Sequence, residues 1–554
     1  MASALAIAIA TINPVVGDID GNAARILKVR EQTPDADLIV YSELVLVGYP
    51  PEDLVLKPSF QRDAMDKAVE LAKLTNDGGP AMLIGSLWIE GGKLYNSSLL
   101  LANGTIAAIR HKRDLPNYGV FDEKRVFESG PCPEPIDFKG VKLGVLTCED
   151  LWWETVTEYL KNRHAEILIS LNGSPYDLPK SEDRYQNGRD RVAQAAIPLI
   201  YTNQVGGQDE LVFDGEAFVM DKDGNVIVRQ PAFLEATTMT TWEKAADGSW
   251  YCVPQEIPPK NDRLTDIYQA MMIGTRDYVN KNRFPGVIIG MSGGIDSALS
   301  AIIAVDALGA DRVHLVMMPS KYTSEESLID AADAARMIGC KIDNIPINDG
   351  VVAFEKMMAG SFAGTSSDLT EENIQSRIRA VILMGLSNKF GKMVLTTGNK
   401  SEMSVGYATI YGDMCGGYNA LKDIYKLDVY KISEWRNQNH PTGGLGPRGQ
   451  IMPYNIIKKP PTAELRPDQK DQDSLPPYEV LDDILECLIE REMGTKEIIA
   501  RGHDAETVAR IQNLLYTAEY KRRQAPPGVK ISEKNFGRDR RYPITNGYRD
   551  KKDK

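Results

Sequence analysis

Short apolar runs of strand length punctuate the first 250 residues. Leu5–Ala10, Asp37–Tyr41, Met82–Gly85, Lys142–Leu146, Glu166–Leu171 and Pro198–Thr202 are rich in Val, Ile and Leu, which predicts buried strands. Helical stretches separate several of them, Ala23–Glu31 and Gln61–Leu74 among them. Two tight turns interrupt the alternation: Asn103-Gly104 between Ser97–Leu101 and Thr105–Arg110, and Asp223-Gly224 between Ala217–Met220 and Asn225–Val228. Asn-Gly and Asp-Gly tolerate positive φ and predict hairpins, so the first domain is read as α/β with mixed sheets.

The pattern changes at Val253-Pro-Gln-Glu-Ile-Pro-Pro-Lys260, where proline and polar residues mark a linker over 253–262. Beyond it come an amphipathic helix over Arg263–Val279, a strand at Val287–Met291 and an apolar helix at Ala298–Leu308. Strand and helix then alternate through Val313–Met317, Leu328–Met337, Ile374–Asn388 and Met393–Thr396, which predicts a second α/β domain with a parallel sheet over 263–527. Residues 440–480, crowded with Gly, Pro and charge, are read as a mobile loop or lid. From Gly528 to Lys554 nine basic residues face four acidic ones, which suggests a solvated or interface-docked basic tail.

Composition narrows the field. A chain of 554 residues needs at least two cores. The 64 basic and 77 acidic side chains leave a net charge of −13, which argues against a general binder of nucleic acid or anionic membrane. Six widely spaced cysteines without a CxxC pair fit a reducing, cytoplasmic setting better than a disulfide framework. No stretch approaches the roughly 20 apolar residues that span a bilayer.

Three segments place reactive side chains at strand ends: Glu43 in SELVLVGYPPEDL, Lys112 in HKRDLPNYGVFDE and Cys148 in LTCEDLWW. A lone buried cysteine is usually inert packing. A thiol, a carboxylate to take its proton and a cation to steady an oxyanion are together what amide hydrolysis needs. The motifs and their order resemble the nitrilase (carbon–nitrogen hydrolase) superfamily in its glutaminase branch, over most of residues 1–250. The resemblance implies an α-β-β-α sandwich over 1–252. It also implies Glu43 as general base, Lys112 as oxyanion stabiliser, Cys148 as nucleophile and Glu123 as auxiliary glutamate. It places Tyr118, Ser174 and Lys180 at positions that hold glutamine.

A second constellation runs from strand to helix: Gly290-Met291-Ser292-Gly293-Gly294-Ile295-Asp296-Ser297. Glycines admit an anion close to the backbone, the helix start supplies free N–H groups, and the two serines add hydroxyls. The string lacks the Gly-Lys-Ser/Thr ending of a Walker loop. It resembles the N-type ATP pyrophosphatases, which adenylate an oxygen and release pyrophosphate on a Rossmann-like parallel sheet. Asp296 with phosphate oxygens suits Mg²⁺. ENIQSRIR, TTGNKSE, YGD, KDIYK and PTAEL narrow the resemblance to NAD synthetases. It implies ATP contacts at Thr397, Lys426 and Thr462, and deamido-NAD contacts at Asn373, Glu402 and Lys521, with Glu402 also close to the metal.

Taken together the halves resemble the glutamine-dependent NAD synthetase family. The expected substrates are deamido-NAD, ATP and glutamine, with ammonia passing by a protected route and a homo-oligomer as the working form. Two other readings stay open: a different PP-loop amidotransferase, or an amidohydrolase whose second half only senses nucleotide.

Overall fold

The first strand, β1 (Ala4–Thr11), carries Leu5, Ile7 and Ile9 on one face and Ala8 and Ala10 on the other. A pleated strand sends alternate side chains to opposite sides, so β1 serves two cores. The structure is a computed structural model describing residues 4–550 other than Asp468 and Ser474. The chain divides into two compact units, Met1–Asn261 and Asp262–Lys554.

In the first unit β1 pairs antiparallel with β14 (Ala236–Lys244) and parallel with β2 (Leu38–Val40). The sheet continues through β3 (Ala81–Glu90), β4 (Lys93–Ala102) and β5 (Thr105–His111), with β15 (Trp250–Cys252) on the other edge. A second sheet runs β13 (Val226–Arg229), β12 (Phe218–Met220), β9 (Leu199–Tyr201), β8 (Ile167–Leu171), β7 (Val141–Thr147), β6 (Ile136–Phe138). A ribbon of β10 (Val205–Gln208) and β11 (Leu211–Asp214) stands apart. Leu5, Ile7, Ile9 and Val40 meet Leu143, Val145, Ile167 and Ile169 between the sheets. Ala8, Ala10 and Met82 pack outward on α1 (Ile19–Gln32) and α2 (Pro58–Leu74). On the far side α3 (Glu154–Asn162) and α4 (Lys180–Ala195) cover Leu168, Leu199 and Phe218. The result is the α-β-β-α sandwich, and both anticipated hairpins close it, one between β4 and β5, the other between β12 and β13.

In the second unit five parallel strands lie in the order β18 (Lys341–Asn344), β17 (Val313–Met317), β16 (Val287–Gly290), β19 (Met393–Thr396), β20 (Tyr418–Asn419). The chain first builds leftward from β16 and then returns to its right. That reversal between β16 and β19 is a topological switch point, where the loops beyond the strands' carboxyl ends part and leave a ligand crevice. Helices α5 (Arg263–Lys281), α6 (Ile295–Leu308), α7 (Glu325–Met337), α8 (Asn348–Met358) and α9 (Leu369–Phe390) accompany the sheet. After α10 (Lys400–Val405) and α11 (Lys426–Gln438), the short α12 (Tyr454–Lys458) packs on α6 and α11, and a further layer forms from α13 (Tyr478–Ile489), α14 (Thr495–Ala500) and α15 (Ala505–Thr517). Met403 and Val405 of α10 pack into the apolar cluster of α13 and α15.

Two expectations change here. Part of the stretch read as a lid is anchored: Arg436 pairs with buried Asp306 and donates to the Pro447 carbonyl, while Asn437 accepts the N–H groups of Ile451 and Met452. Residues 528–540 are packed into the second unit and are not a solvated basic tail. Val529, Ile531 and Phe536 are buried, and Asp423 accepts the N–H groups of Ile531 (2.8 Å) and Ser532 (2.6 Å). Asp423 also pairs at 2.7 Å with Lys400, whose side chain is fully buried and also bonds Glu490, Ser532 and the Lys534 carbonyl. Part of the charge that composition assigns to solvent is paired inside: Lys530 with Asp539 at 3.0 Å and Arg540 with Glu519 at 3.5 Å. Asp423→Ala should therefore destabilise the second unit by about 3–5 kcal/mol, because it leaves a buried ammonium short of its partner. Urea unfolding followed by hydrogen exchange checks it: the loss should fall on residues 262–550 and spare the first unit.

Candidate active sites

The two sheets of the first unit are apolar through most of their interface, but one end turns polar. In β4, Asn96 and Ser98 occupy the same face as Leu100, and all three are buried. Ser98 Oγ meets Thr147 Oγ1 at 3.0 Å across the interface. Glu43 follows β2, Lys112 follows β5 and Cys148 follows β7, so three strands deliver residues just beyond their ends to this polar region. Gly85 of β3 makes the fit possible, since a Cβ there would lie 2.2 Å from the Leu44 nitrogen.

The Lys112 ammonium lies 2.7 Å from Glu43 Oε1 and 2.9 Å from both Glu123 oxygens. Asn96 donates to Glu43 Oε1 at 2.7 Å and its backbone carbonyl accepts the Lys112 N–H at 2.8 Å. The Gly173 N–H holds Glu43 Oε2 at 2.8 Å, and the Tyr49 hydroxyl donates to Glu123 at 2.8 Å. All these groups are buried. Burial pulls the Lys112 ammonium down, but the Glu123 and Glu43 charges more than offset it and leave it above the ordinary lysine value. Cys148 opens a short 3₁₀ turn at φ +45°, in the left-handed region. Burial raises its thiol well above the usual range, Glu43 raises it further, and Lys112 opposes both. The thiol therefore rests protonated, and a nearby carboxylate must accept its proton during any attack.

Around this centre the Tyr118 hydroxyl donates to Glu149 at 3.0 Å, and Trp153 donates to the other Glu149 oxygen. Ser174 Oγ accepts from Arg184, which is paired with Asp214. The Lys180 ammonium lies over the Trp152 ring at 4.5 Å. Sequence reasoning missed Asn96 and Tyr49. The signal for Asn96 was available: Asn96-Ser97-Ser98 is a polar triplet inside an otherwise apolar strand.

In the second unit the cradle sits at the switch point. Ser292 Oγ accepts the Gly294 N–H at 3.1 Å, and Ser297 Oγ donates to the Gly294 carbonyl at 2.9 Å. Gly293 has φ +81°, and a Cβ on it would lie 2.3 Å from the Ser327 carbonyl oxygen of α7. Met291 ties the loop to β17 through the Val316 carbonyl, and Ile295 starts α6. Across the crevice the loop after β19, Thr397-Gly398-Asn399, faces it: Asn399 donates to Asp296 Oδ1 at 2.9 Å and its own side chain caps α10. Lys426, at the start of α11, bonds Asp296 and lies 3.4 Å from Glu402. Burial pushes the Glu402 carboxyl up to about 8 against the pull of Lys426. Mg²⁺ is usually held by one or two carboxylates plus phosphate oxygens, and Asp296 with Glu402 matches that donor set. Among the described residues no cluster of three or more His, Cys, Asp or Glu forms a protein-only metal cage.

The remaining site residues divide into two groups. Asn373 accepts from Thr409 at 2.9 Å, and the Lys521 ammonium bonds the Gly406 and Ala408 carbonyls, so both converge on the loop after α10 rather than on Glu402. Burial lowers Lys521, with Asp413 opposing. Thr462 is exposed and bonds within its own segment, to Gln469 and Glu464. That segment reaches the cradle's neighbour through Glu464, which accepts from Ser324 and Ser327 at the start of α7.

Comparison with known proteins agrees with this division. A carbon–nitrogen hydrolase family matches residues 6–246 and an NAD synthase family matches residues 267–525. The glutamine-dependent NAD(+) synthetase of Rhodobacter capsulatus is 48% identical over 98% of this chain and 99% of its own. That of Acinetobacter baylyi is 43% identical over 98% of each. The solved glutamine-dependent NAD+ synthetase of Acinetobacter baumannii, in complex with ADP, superposes with a TM-score of 0.78 at 40% identity, covering 99% of this chain and 100% of that one. With both catalytic halves matched and the relatives spanned end to end, the chain belongs to the glutamine-dependent NAD(+) synthetases.

Proposed function

We propose that the protein amidates deamido-NAD to NAD with ammonia taken from glutamine, at the expense of ATP cleaved to AMP and pyrophosphate. The observation that carries the reading is the separation of a Cys148–Glu43–Lys112 centre in one unit from an Asp296–Lys426–Glu402 cradle in the other. In the first, Cys148 Sγ attacks the side-chain amide carbon of glutamine while Glu43 takes the thiol proton. The oxyanion develops beside the Lys112 ammonium. Glu43 gives the proton to the departing ammonia; it then deprotonates the water that attacks the thioester carbon, the C–S bond breaks to free glutamate, and Glu43 returns that proton to the Cys148 sulfur. Glu123 and Asn96 keep Lys112 and Glu43 in register.

In the second unit the nicotinate carboxylate oxygen attacks the α-phosphorus of ATP and expels pyrophosphate. Ammonia then adds to the carbonyl carbon of the mixed anhydride and AMP leaves. Gly290–Ser297 cradles the phosphates, Lys426 and Thr397 face them, and Thr462 approaches from the α7 side. Asp296 and Glu402 would hold Mg²⁺, which supplies charge to neutralise the phosphate oxygens when bound. Asn373 of α9 and Lys521, beyond α15, would meet the dinucleotide beside the loop after α10 that both of them bond. The six thiols are unpaired and no described helix is long and apolar enough to cross a membrane, which supports a cytoplasmic site of action; the working form is taken as a homo-oligomer by family.

An acceptor screen tests the reading. With ATP, Mg²⁺ and ammonia, mass spectrometry should find NAD and AMP in equal amounts with deamido-NAD, and neither product with xanthosine monophosphate or aspartate. A site that pairs its polar groups with one acceptor rejects analogues that leave them buried and unpaired. Glu402→Gln should lower dinucleotide-dependent turnover more than ATP binding. Amidation of either alternative acceptor would overturn the assignment.

A further inference from the structure

One buried carboxylate joins the segments that carry the thiol and the ammonium of the first site. Asp150 is 1% exposed. Its Oδ2 accepts the Thr147 N–H at 3.0 Å, next to Cys148 in the chain. Its Oδ1 accepts the N–H groups of Arg113 at 3.0 Å and Asp114 at 2.8 Å, directly after Lys112. β5 and β7 belong to different sheets, so these bonds cross from one layer of the sandwich to the other. The same residue stabilises the turn itself, because its own N–H is accepted by the Thr147 hydroxyl. The turn needs that support: Cys148 holds a left-handed conformation that a residue other than glycine adopts only when its surroundings fix it.

We infer that Asp150 is a positioning residue for glutamine hydrolysis, holding the Lys112 segment at a fixed distance from Cys148. That role rests on the reading of Cys148 and Lys112 given above. Acceptor capacity singles out the carboxylate. It presents lone pairs on both oxygens, whereas an amide accepts on one side and donates on the other. Asparagine in this place can serve Thr147 or the Arg113–Asp114 pair, but not both. Burial pushes the Asp150 carboxyl up to about 7, and the backbone N–H groups of Asp114 and Thr147 pull it back, so the anion is held mainly by peptide dipoles. Lys112 is independently fixed by Glu43 and Glu123 at its ammonium end. What Asp150 adds is the register of its backbone against the turn that bears the sulfur.

The test is Asp150→Asn in the full chain, assayed with glutamine and with ammonia. Glutamine-supported kcat should fall on the order of 100-fold, the scale of a misplacement near 1 Å. The KM for glutamine should hold, and ammonia-supported synthesis should match the unsubstituted protein. Thr147→Val, which removes the hydroxyl that accepts the Asp150 N–H and also meets Ser98 Oγ, should give a smaller fall in the same kcat, about tenfold, and carries the test if the asparagine variant does not fold, with Ser98→Ala, expected to hold its kcat, as the control for the second contact. Unchanged glutamine kcat in the Asp150 and Thr147 variants, a change confined to KM, or equal loss with both nitrogen sources would overturn the inference. Cys148→Ala run in parallel separates the two levels. If it retains glutamine-supported synthesis, the reading of the site has failed; if it loses that activity while Asp150→Asn keeps it, only the role of Asp150 has.

Discussion

Cys148→Ala is expected to abolish NAD synthesis from glutamine, by roughly 10⁴-fold or more, while synthesis from ammonia stays near normal. On the proposed reading the sulfur is the nucleophile that the Glu43–Lys112 arrangement serves, and alanine leaves those charged groups paired, as they already are. Removing one small buried side chain costs far less than charge loss would, so the variant should fold. Initial rates with each nitrogen donor, with glutamate and NAD measured separately, decide the matter. Loss of both activities in a folded variant would make Cys148 structural.

Asp296→Ala should remove synthesis with either nitrogen source. Asp296 pairs with Lys426 and receives the Asn399 amide, so its loss leaves Lys426 to Glu402 alone, at 3.4 Å, and unpins the loop after β19. Deleting a charge-assisted hydrogen bond at a transition-state site commonly costs about 2–4 kcal/mol, or roughly 30- to 1,000-fold in rate. Ser297→Ala, which removes the hydroxyl that closes the loop on Gly294, should cost less. The assay is AMP and NAD formation with saturating ammonia, where the first site plays no part. A near-normal rate for Asp296→Ala would remove the phosphate-cradle assignment.

The strands were legible because burial and period two act together over four or five residues. Met393–Thr396 and Val313–Met317 read as they stand, and Leu5–Ala10 lies inside β1. Helices were legible in their middles and less so at their ends: Ile374–Asn388 is the interior of α9, whose start at Leu369 depends on the Asp368–Glu371 capping box. The order Glu, Lys, Cys was legible as motif. The groups that hold those residues were not, because their partners are remote in sequence. Glu43 meets Asn96 and Gly173, and Asp150 meets the backbone after Lys112; no local pattern signals an acceptor of distant N–H groups. The last segment was misjudged for a related reason. Residues 528–540 look solvated until Asp423, more than a hundred residues earlier, accepts the Ile531 N–H and the Ser532 hydroxyl, and Glu519 is placed beside Arg540.

The position of two late segments has a consequence for how the chain emerges from the ribosome. β1 and β2 are made early, but the free edge of β1 waits for β14, residues 236–243. The cradle is complete in sequence by Lys426, yet Lys400, beside Asn399, waits for residues 532–534. Domains form as units during synthesis, the amino-terminal one first. Each unit here is latched by a part of itself translated late. A nascent chain stalled short of those segments presents a bare strand edge and a buried Asp423 without the N–H groups of Ile531 and Ser532, which mark it for chaperones and proteases.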